Sequence, residues 1–316
     1  MLQGVTATLG IAVVHYRTPE VALDCLTRLR VAAPGARIVV VDTAPDPAFE
    51  QRLAAEHPEV QFLKAPNHSY SRSVNLGVAA LGTELVALMN ADVLVEPDTF
   101  TKLASALSRN GGRAVVAPLA LTPSGAPQNM GWPYERYYRL LRSAAAKARA
   151  RAPEQQPAAP ASVEVAWLAG YLQLMHADVW QRVGGYDESF RFFNEDIDFC
   201  LRVRESGYAC RLVDAEVVHL GGTSTPTHPA FHVEGRRGGM VVTRRHHGPV
   251  YRWAHAAYLW AEAQFGRRLA RSEQRRDAHE MVLELLRTGA WHRSPFGATL
   301  DERRSSVREP AFEDPC

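Results

Sequence analysis

Short apolar runs recur through the first part of the chain, and stretches of mixed polarity separate them. Thr8–His15 (TLGIAVVH) is rich in β-branched residues and predicts a buried first strand. Arg37–Asp42 (RIVVVD), Val60–Lys64, Glu84–Met89 and Arg113–Ala117 repeat that signal. Helical stretches fall between them. The first is Thr18–Arg30, with Thr18 placed to cap it and Pro19 in its first turn. Pro47–His57 is the second, Tyr70–Leu81 (Val74, Val78 and Leu81 on one face) the third, and Asp98–Arg109 the fourth. Such alternation predicts an α/β fold, with a mostly parallel central sheet flanked by helices.

The alternation then lapses. Residues 123–161 are rich in Ala, Arg and Pro. Within them Tyr134–Arg151 predicts a helix carrying Arg136, Arg139, Arg142, Lys147, Arg149 and Arg151 against the single acid Glu135. Ala152–Pro160 has the composition of a linker. Order returns over Val163–Met175, followed by a helix to Val183 and a turn at Gly184–Gly185. Asp196–Gly207 predicts a helix capped by its last glycine, and Cys210–Val213 and Glu216–Leu220 predict two short strands. From Pro229 to Leu286 the pattern is mainly helical, with Trp253, Tyr258 and Trp260 in a basic background. The chain thus divides into an α/β domain over 1–225, a helical region over 226–293 and a loose polar tail over 294–316.

Composition narrows the class. Of 316 residues, 46% are hydrophobic and 22% charged, which is globular. A net charge of +2 does not by itself imply a polyanionic partner, and no nucleic acid is expected. Cys25, Cys200, Cys210 and Cys316 form no C-x-x-C pair and read as thiols in a reducing compartment. MLQGVTATLG lacks the charged and apolar regions of a signal peptide, and no apolar run approaches the roughly 20 residues of a membrane span. The expectation is a cytoplasmic protein, with peripheral contact at the inner face of the membrane left open. No G-x-G-x-x-G follows the first strand, which argues against a dehydrogenase. The same stretch, VVHYRTPE, lacks the glycine-rich phosphate loop and lysine of a sugar nucleotidyltransferase.

Several predicted elements end in groups able to do chemistry, and open α/β sheets bind ligands beyond the carboxyl ends of their strands. Asp42 ends the second strand. It can accept from a ribose or a base N–H, or form an ordinary Asx turn into Thr43–Pro47. Asn67–Gly77 (NHSYSRSVNLG) leads into a helix whose N-terminus, with Arg72, can favour a phosphate. The alternative is a surface helix capped by Ser69 or Ser71. In Ala87–Pro97 (ALMNADVLVEP) the apolar run breaks at Asn90, and Asp92 stands alone before a second run. Mg2+ and Mn2+ take oxygen ligands, substrate phosphates among them, so Asp92 can seat such an ion; a turn with a solvated carboxylate is the plainer reading. Phe192–Cys200 (FFNEDIDFC) holds three acids in four residues. Glu195 and Asp196 fall in a first helical turn, where acids offset the helix dipole. The two preceding Phe residues imply a partly apolar setting in which a carboxylate becomes a better base, and adjacency raises at least one pKa. His219 ends a strand before Gly221–Gly222 and can offer a ring nitrogen to a metal or serve as a hydrogen-bonded structural residue; His228, His232, His246 and His247 compete with it.

Taken in order, VVHYRTPE, VVVDTAPD, NHSYSRSVNLG, MNADVLVEP, WLAGYLQLMHADVWQRVGGYDESF, NEDIDFCLRVRESG and VVHLGGTS span most of Val13–Ser224. This succession resembles the family-two glycosyltransferases with the GT-A nucleotide-diphospho-sugar transferase fold, in their rhamnosyltransferase-like branch. The resemblance implies that Asp42 binds the nucleotide base and that Arg72 and Asn75 lie along the nucleotide and diphosphate. It implies that Asp92 is the metal-binding last acid of the D-x-D motif, with Asn90 in the first acid's place, and that His219 completes the site for a divalent cation (Mg2+ or Mn2+). Gly170 falls where the family has a small residue near the donor sugar. Asp196 matches the catalytic base of the E-D pair, with Glu195 beside it. The chain departs from the family pattern at His15, at Pro45 and at Asn90, the last lowering the expected metal affinity.

The implied reaction is inverting transfer from a UDP-, dTDP- or GDP-linked sugar to a hydroxyl of a glycan or lipid-linked acceptor, in cell-surface polysaccharide or glycolipid synthesis. A non-catalytic nucleotide- or glycan-binding relative is the alternative, and the intact Glu195–Asp196 pair favours the enzyme.

Overall fold

The computed structural model describes residues 8–128, 161–221 and 228–297. The expected basic helix Tyr134–Arg151, the linker Ala152–Pro160 and the tail beyond Gly297 lie outside the described residues. The described chain forms two units: 8–67, 73–128, 161–185 and 199–221 in the first, and 68–72, 186–198 and 228–297 in the second.

The first unit is built on the predicted strands. β1 (Leu9–His15), β2 (Arg37–Asp42), β3 (Gln61–Lys64) and β4 (Leu85–Asn90) lie in the order β3-β2-β1-β4, all parallel. α1 (Pro19–Ala32), α2 (Pro47–Glu56) and α3 (Tyr70–Ala79) connect them, as the alternating pattern predicts. These strands read as continuous apolar runs because both faces are covered: Ile11, Ala12, Val39 and Val41 are fully buried. Gly77 lets α3 approach the sheet, since a Cβ there would stand 2.8 Å from Cβ of Ala12.

Beyond β4 the sheet is mixed. β5 (Val93–Val95), β6 (Ala114–Leu121), β7 (Ser162–Glu164), β8 (Leu172–His176) and β9 (Ala209–His219) complete it, in the order β4-β8-β6-β9-β5 with β7 also on β9. β8 runs antiparallel to β4 and β6, and β5 and β7 run antiparallel to β9. Antiparallel neighbours need no helical crossover. The strand–helix alternation that predicts parallel pairing accordingly ends with α4 (Thr99–Arg109) and β6. β9 is one strand where the sequence predicts two. Its register against β6 shifts between Ala117 and Leu119, around Pro118, which has no N–H for the ladder.

The second unit is helical. α7 (Pro229–His246), α8 (Pro249–Leu269) and α9 (Glu273–Thr288) follow the shorter α5 (Ala177–Val183) and α6 (Glu195–Glu205) in chain order. The three share a core of Val233, Met240, Leu259, Ala263, Ala278, Val282, Leu285 and Trp291. Ser272 caps α9 by accepting from the Arg275 N–H, and Gly289 ends it in the left-handed region at φ +67°. Inside this unit Glu234 and Arg237 form a fully buried pair, one turn apart on α7, at 2.6 Å. Arg237 also donates to the carbonyls of Trp291 and Ser189, and Arg191 donates to that of Phe296.

Candidate functional site

In the first unit the carboxyl ends of β1, β2 and β4 lie side by side, with His15 opposite Asp42 and Val14 opposite Asn90. His15 Nδ1 stands 3.1 Å from Asp42 Oδ1, and its Nε2 accepts the backbone N–H of Thr18 at 3.0 Å. A nitrogen that accepts carries no proton, so the neutral ring keeps its proton on Nδ1 and donates it to Asp42. Asp42 Oδ1 also accepts the Ala44 N–H at 3.0 Å, which is the Asx turn. Asp42 Oδ2 is buried without a hydrogen-bond partner. One carboxylate therefore closes the turn with one oxygen and keeps the other for a donor. Thr18 precedes α1 as expected, but its side chain makes no capping bond.

Asp92 follows β4 and is buried; its carbonyl accepts the Leu220 N–H. β5 pairs with β9 in a register that sets Val93 opposite His219. This brings His219 Nε2 to 3.3 Å from Asp92 Oδ1. The other ring nitrogen, Nδ1, lies 2.7 Å from Gln128 Oε1, while Gln128 Nε2 donates to the His219 carbonyl. A carbonyl only accepts, so the amide orientation follows, and Nδ1 carries a proton that Gln128 accepts. Nε2 is thereby turned to Asp92, which it can meet as an imidazolium donor or, in the neutral ring, as a second ligand to a shared cation. The spacing suits neighbouring ligands of one divalent ion, which at about 2.1 Å from each stand about 3 Å apart. Tyr171 stacks on His219 at 5.6 Å between ring centroids, and its carbonyl accepts the Asn90 N–H. Gly170 immediately precedes it. Asn75 on α3 lies near Gly185, where a Cβ would stand 2.9 Å from its Oδ1. Among the described residues no three His, Cys, Asp or Glu side chains gather, so Asp92 and His219 would leave the other positions to substrate oxygens.

In the second unit Ser69 is the cap of α3, accepting the Arg72 N–H at 3.1 Å. Arg72 Nη1 lies 3.7 Å from Glu188, and its Nε is buried without a hydrogen-bond partner. The three acids of FFNEDIDFC part company here. Asp198 is fully buried and held by His246 Nε2 at 3.0 Å and Arg245 Nη1 at 3.2 Å. Glu195 is buried, and its Oε2 has no partner. Burial pushes its pKa well above the usual carboxylate range, helped by the charges of Asp196 and then Glu234. Asp196 is half-buried, and its Oδ1 accepts the Ile197 N–H at 2.8 Å. Phe193 and Asn194 precede the pair at φ +66° and +68°, a conformation disfavoured for residues with a Cβ. Asn194 Nδ2 donates to the Gly235 carbonyl, and Gly238 leaves the room, since a Cβ there would stand 2.7 Å from that nitrogen. The flanking Phe192 packs edge-on against Phe231 and Phe296, as the apolar reading of that stretch expects.

The competing histidines are accounted for within this unit. His246 holds Asp198, His228 accepts the Ala230 N–H at the start of α7, His232 packs its ring on His279, and His247 stacks on Tyr251. Sequence reasoning misses Gln128, which sits in an irregular turn after β6 with no periodic pattern around it. It also misses the pairing of His15 with Asp42, although a polar residue ending an apolar strand marks the position.

A family model described as glycosyltransferase like family 2 matches residues 7–237. The N-acetylglucosaminyl-diphospho-decaprenol L-rhamnosyltransferase of Mycobacterium tuberculosis is 25% identical over 248 residues, covering 71% of this chain and 78% of that protein. The low-salt glycan biosynthesis hexosyltransferase of Haloferax volcanii is 25% identical over 219 residues, 66% of each. Among solved structures, a mannosyltransferase of Pyrobaculum calidifontis in complex with GDP-Man and Mn2+ shares the fold, with a TM-score of 0.54 at 16% identity over 90% of this chain and 86% of that one.

Proposed function

The chain belongs to family 2 of the glycosyltransferases, and from that premise we propose that it moves a sugar from a nucleotide diphosphate sugar to an acceptor hydroxyl with inversion. In this reading Asp42 Oδ2 accepts a base N–H, and Asn75, Asn90 and Gly170 line the donor. Arg72 offers its buried Nε to a phosphate oxygen. Asp92 and His219 hold a divalent cation, Mg2+ or Mn2+, which when bound offsets the charge that develops on the leaving diphosphate. Gln128 keeps the His219 ring in the ligating tautomer.

Asp196 is the base. It takes the proton of the acceptor hydroxyl as that oxygen forms its bond to the anomeric carbon. The bond from that carbon to the diphosphate oxygen breaks on the opposite face, and the nucleotide diphosphate leaves. Burial pushes the Glu195 carboxyl well above the usual carboxylate range, which favours its uncharged form beside Asp196. Base assistance of this kind is worth about 10²–10⁴ in rate. The mycobacterial relative, an N-acetylglucosaminyl-diphospho-decaprenol L-rhamnosyltransferase, supports a lipid diphosphate-linked sugar as the acceptor and rhamnose as the group transferred. The Haloferax relative, named for low-salt glycan biosynthesis, supports a place in polysaccharide or glycolipid assembly.

The observation that carries this reading is the 3.3 Å approach of Asp92 Oδ1 to Nε2 of His219. Titration of UDP, dTDP and GDP by calorimetry, with and without Mn2+, tests it. Mn2+ is expected to tighten one nucleotide at least tenfold in the wild type and much less in Asp92→Ala. Equal enhancement in both removes Asp92 from the site. A screen of UDP-, dTDP- and GDP-sugars for nucleotide release then identifies the donor.

A further inference from the structure

The C-terminal helices carry an apolar surface that their own packing does not use. α8 turns one side inward, where Leu259 and Ala263 are 1% exposed in the shared core. Around the rest of the helix Val250, Tyr251, Trp253, Tyr258, Trp260, Phe265 and Leu269 are 55–80% exposed. Val250, Trp253, Ala257 and Trp260 recur at the three- and four-residue spacing of one helix face. Scattered exposed apolar residues are ordinary, but seven on one helix with four aromatics of Trp and Tyr type mark a contact surface.

Charge indicates what covers it. α8 contains one acid, Glu262, and that acid is tied to Arg236 of α7, with Oε2 2.9 Å from Nε. The outward side therefore carries no carboxylate of its own. Arg252 lies near the start of the helix, Arg267 and Arg268 close its last turn, and Arg244 and Arg271 flank it in the chain. A second copy laid on this face would bring arginines against arginines, which disfavours self-association. An anionic lipid surface satisfies both features, taking the aromatic rings into the headgroup boundary and the guanidiniums onto the phosphates. With 21 residues α8 is about 31 Å long, yet no described helix is long and apolar enough to cross a membrane. It suits lying on the surface rather than spanning it.

We propose that the outward face of α8 binds an anionic bilayer, with Trp253, Trp260 and Phe265 inserting at the interface and Arg268 and Arg271 engaging lipid phosphates. The proposal is independent of which sugar is moved and is tested by binding alone. The full chain is sedimented with phosphatidylcholine vesicles, with and without phosphatidylglycerol. The wild type is expected to partition onto the anionic vesicles about tenfold more than onto the neutral ones. Trp253→Ser/Phe265→Ser is expected to lose about tenfold of that binding, and Arg268→Glu/Arg271→Glu to lose the preference for phosphatidylglycerol. Both variants alter exposed positions, so their melting temperatures should match the wild type. The proposal is overturned if the wild type binds neither vesicle or if either variant binds as the wild type does. It is equally overturned if sedimentation velocity finds a wild-type dimer that Trp253→Ser/Phe265→Ser converts to monomer, which makes the face a self-association surface.

Discussion

Gln128 holds His219 at two points, taking the ring proton on its Oε1 and donating its amide to the backbone carbonyl of the same residue. The double contact leaves no rotamer choice for the ring. Metal-binding histidines oriented in this way typically lose 10- to 100-fold in affinity when the orienting group is removed. Gln128→Leu is therefore expected to weaken the Mn2+ enhancement of nucleotide binding by about tenfold or more, with metal-free nucleotide affinity unchanged. Calorimetry in the presence and absence of Mn2+ reads both. A loss of the metal-free affinity as well would mean that Gln128 serves the fold of the turn instead.

Asp196 and Glu195 are neighbours with opposite assignments. Asp196→Asn is expected to lower the rate of sugar transfer by about 10²–10⁴ while nucleotide affinity stays within twofold of wild type. The variant keeps the size of the side chain and an oxygen for the Ile197 N–H. Transfer at the wild-type rate would remove Asp196 from the role of base. Unchanged nucleotide binding with no transfer by the wild type, over a full donor screen, would favour a binding protein.

Glu195 ties stability to pH. Its folded pKa lies above its unfolded value, chiefly because it is buried. The native state then binds the extra proton, so this contribution to stability is complete below the unfolded range near ~4.3 and is lost as pH rises through the folded value. Glu195→Gln removes the ionisation. It is expected to raise the melting temperature by a few degrees at pH 8 and to leave it nearly unchanged at pH 4. Thermal melts of both proteins at the two pH values decide the matter, and a gain of equal size at both would separate it from the titration of Glu195.

The Glu234–Arg237 pair is fully buried, and removing one partner of such a pair leaves an uncompensated charge. Arg237→Met is expected to cost about 3–5 kcal/mol in urea unfolding. Glu234→Gln/Arg237→Met should recover a large part of that loss, because both charges are then gone. If the double variant is as unstable as the single one, the lost carbonyl contacts of Arg237, not its charge, dominate.

The parallel half of the sheet is legible in the sequence because β1 to β4 are short apolar runs separated by helical stretches, each locally consistent. Asp42, Asn90 and Asp92 are legible for the same reason: a polar residue that ends such a run stands at a strand end. The neighbour of Asp92 is not legible from local pattern. His219 reaches it through the pairing of three-residue β5 with β9, and nothing in VLV specifies that partner. Only the succession of motifs, read as a resemblance, associates the two. Gln128 carries no signal at all, since a turn residue that orients another side chain obeys neither helix nor strand period. In FFNEDIDFC the sequence presents three equivalent acids. The resemblance singles out Asp196; what local pattern cannot supply is the burial of Asp198 and its partners His246 and Arg245, which come from α7, far along the chain.

The buried arginines of the second unit bear on where the chain can end. Arg237 and Arg191 place guanidinium protons on the carbonyls of Trp291 and Phe296, beyond the last helical turn of α9. A protein shortened to the end of α9 would keep all three long helices and still take a carbonyl acceptor away from each of two buried guanidiniums. The folded second unit thus depends on residues up to Phe296, which follow its last described helix.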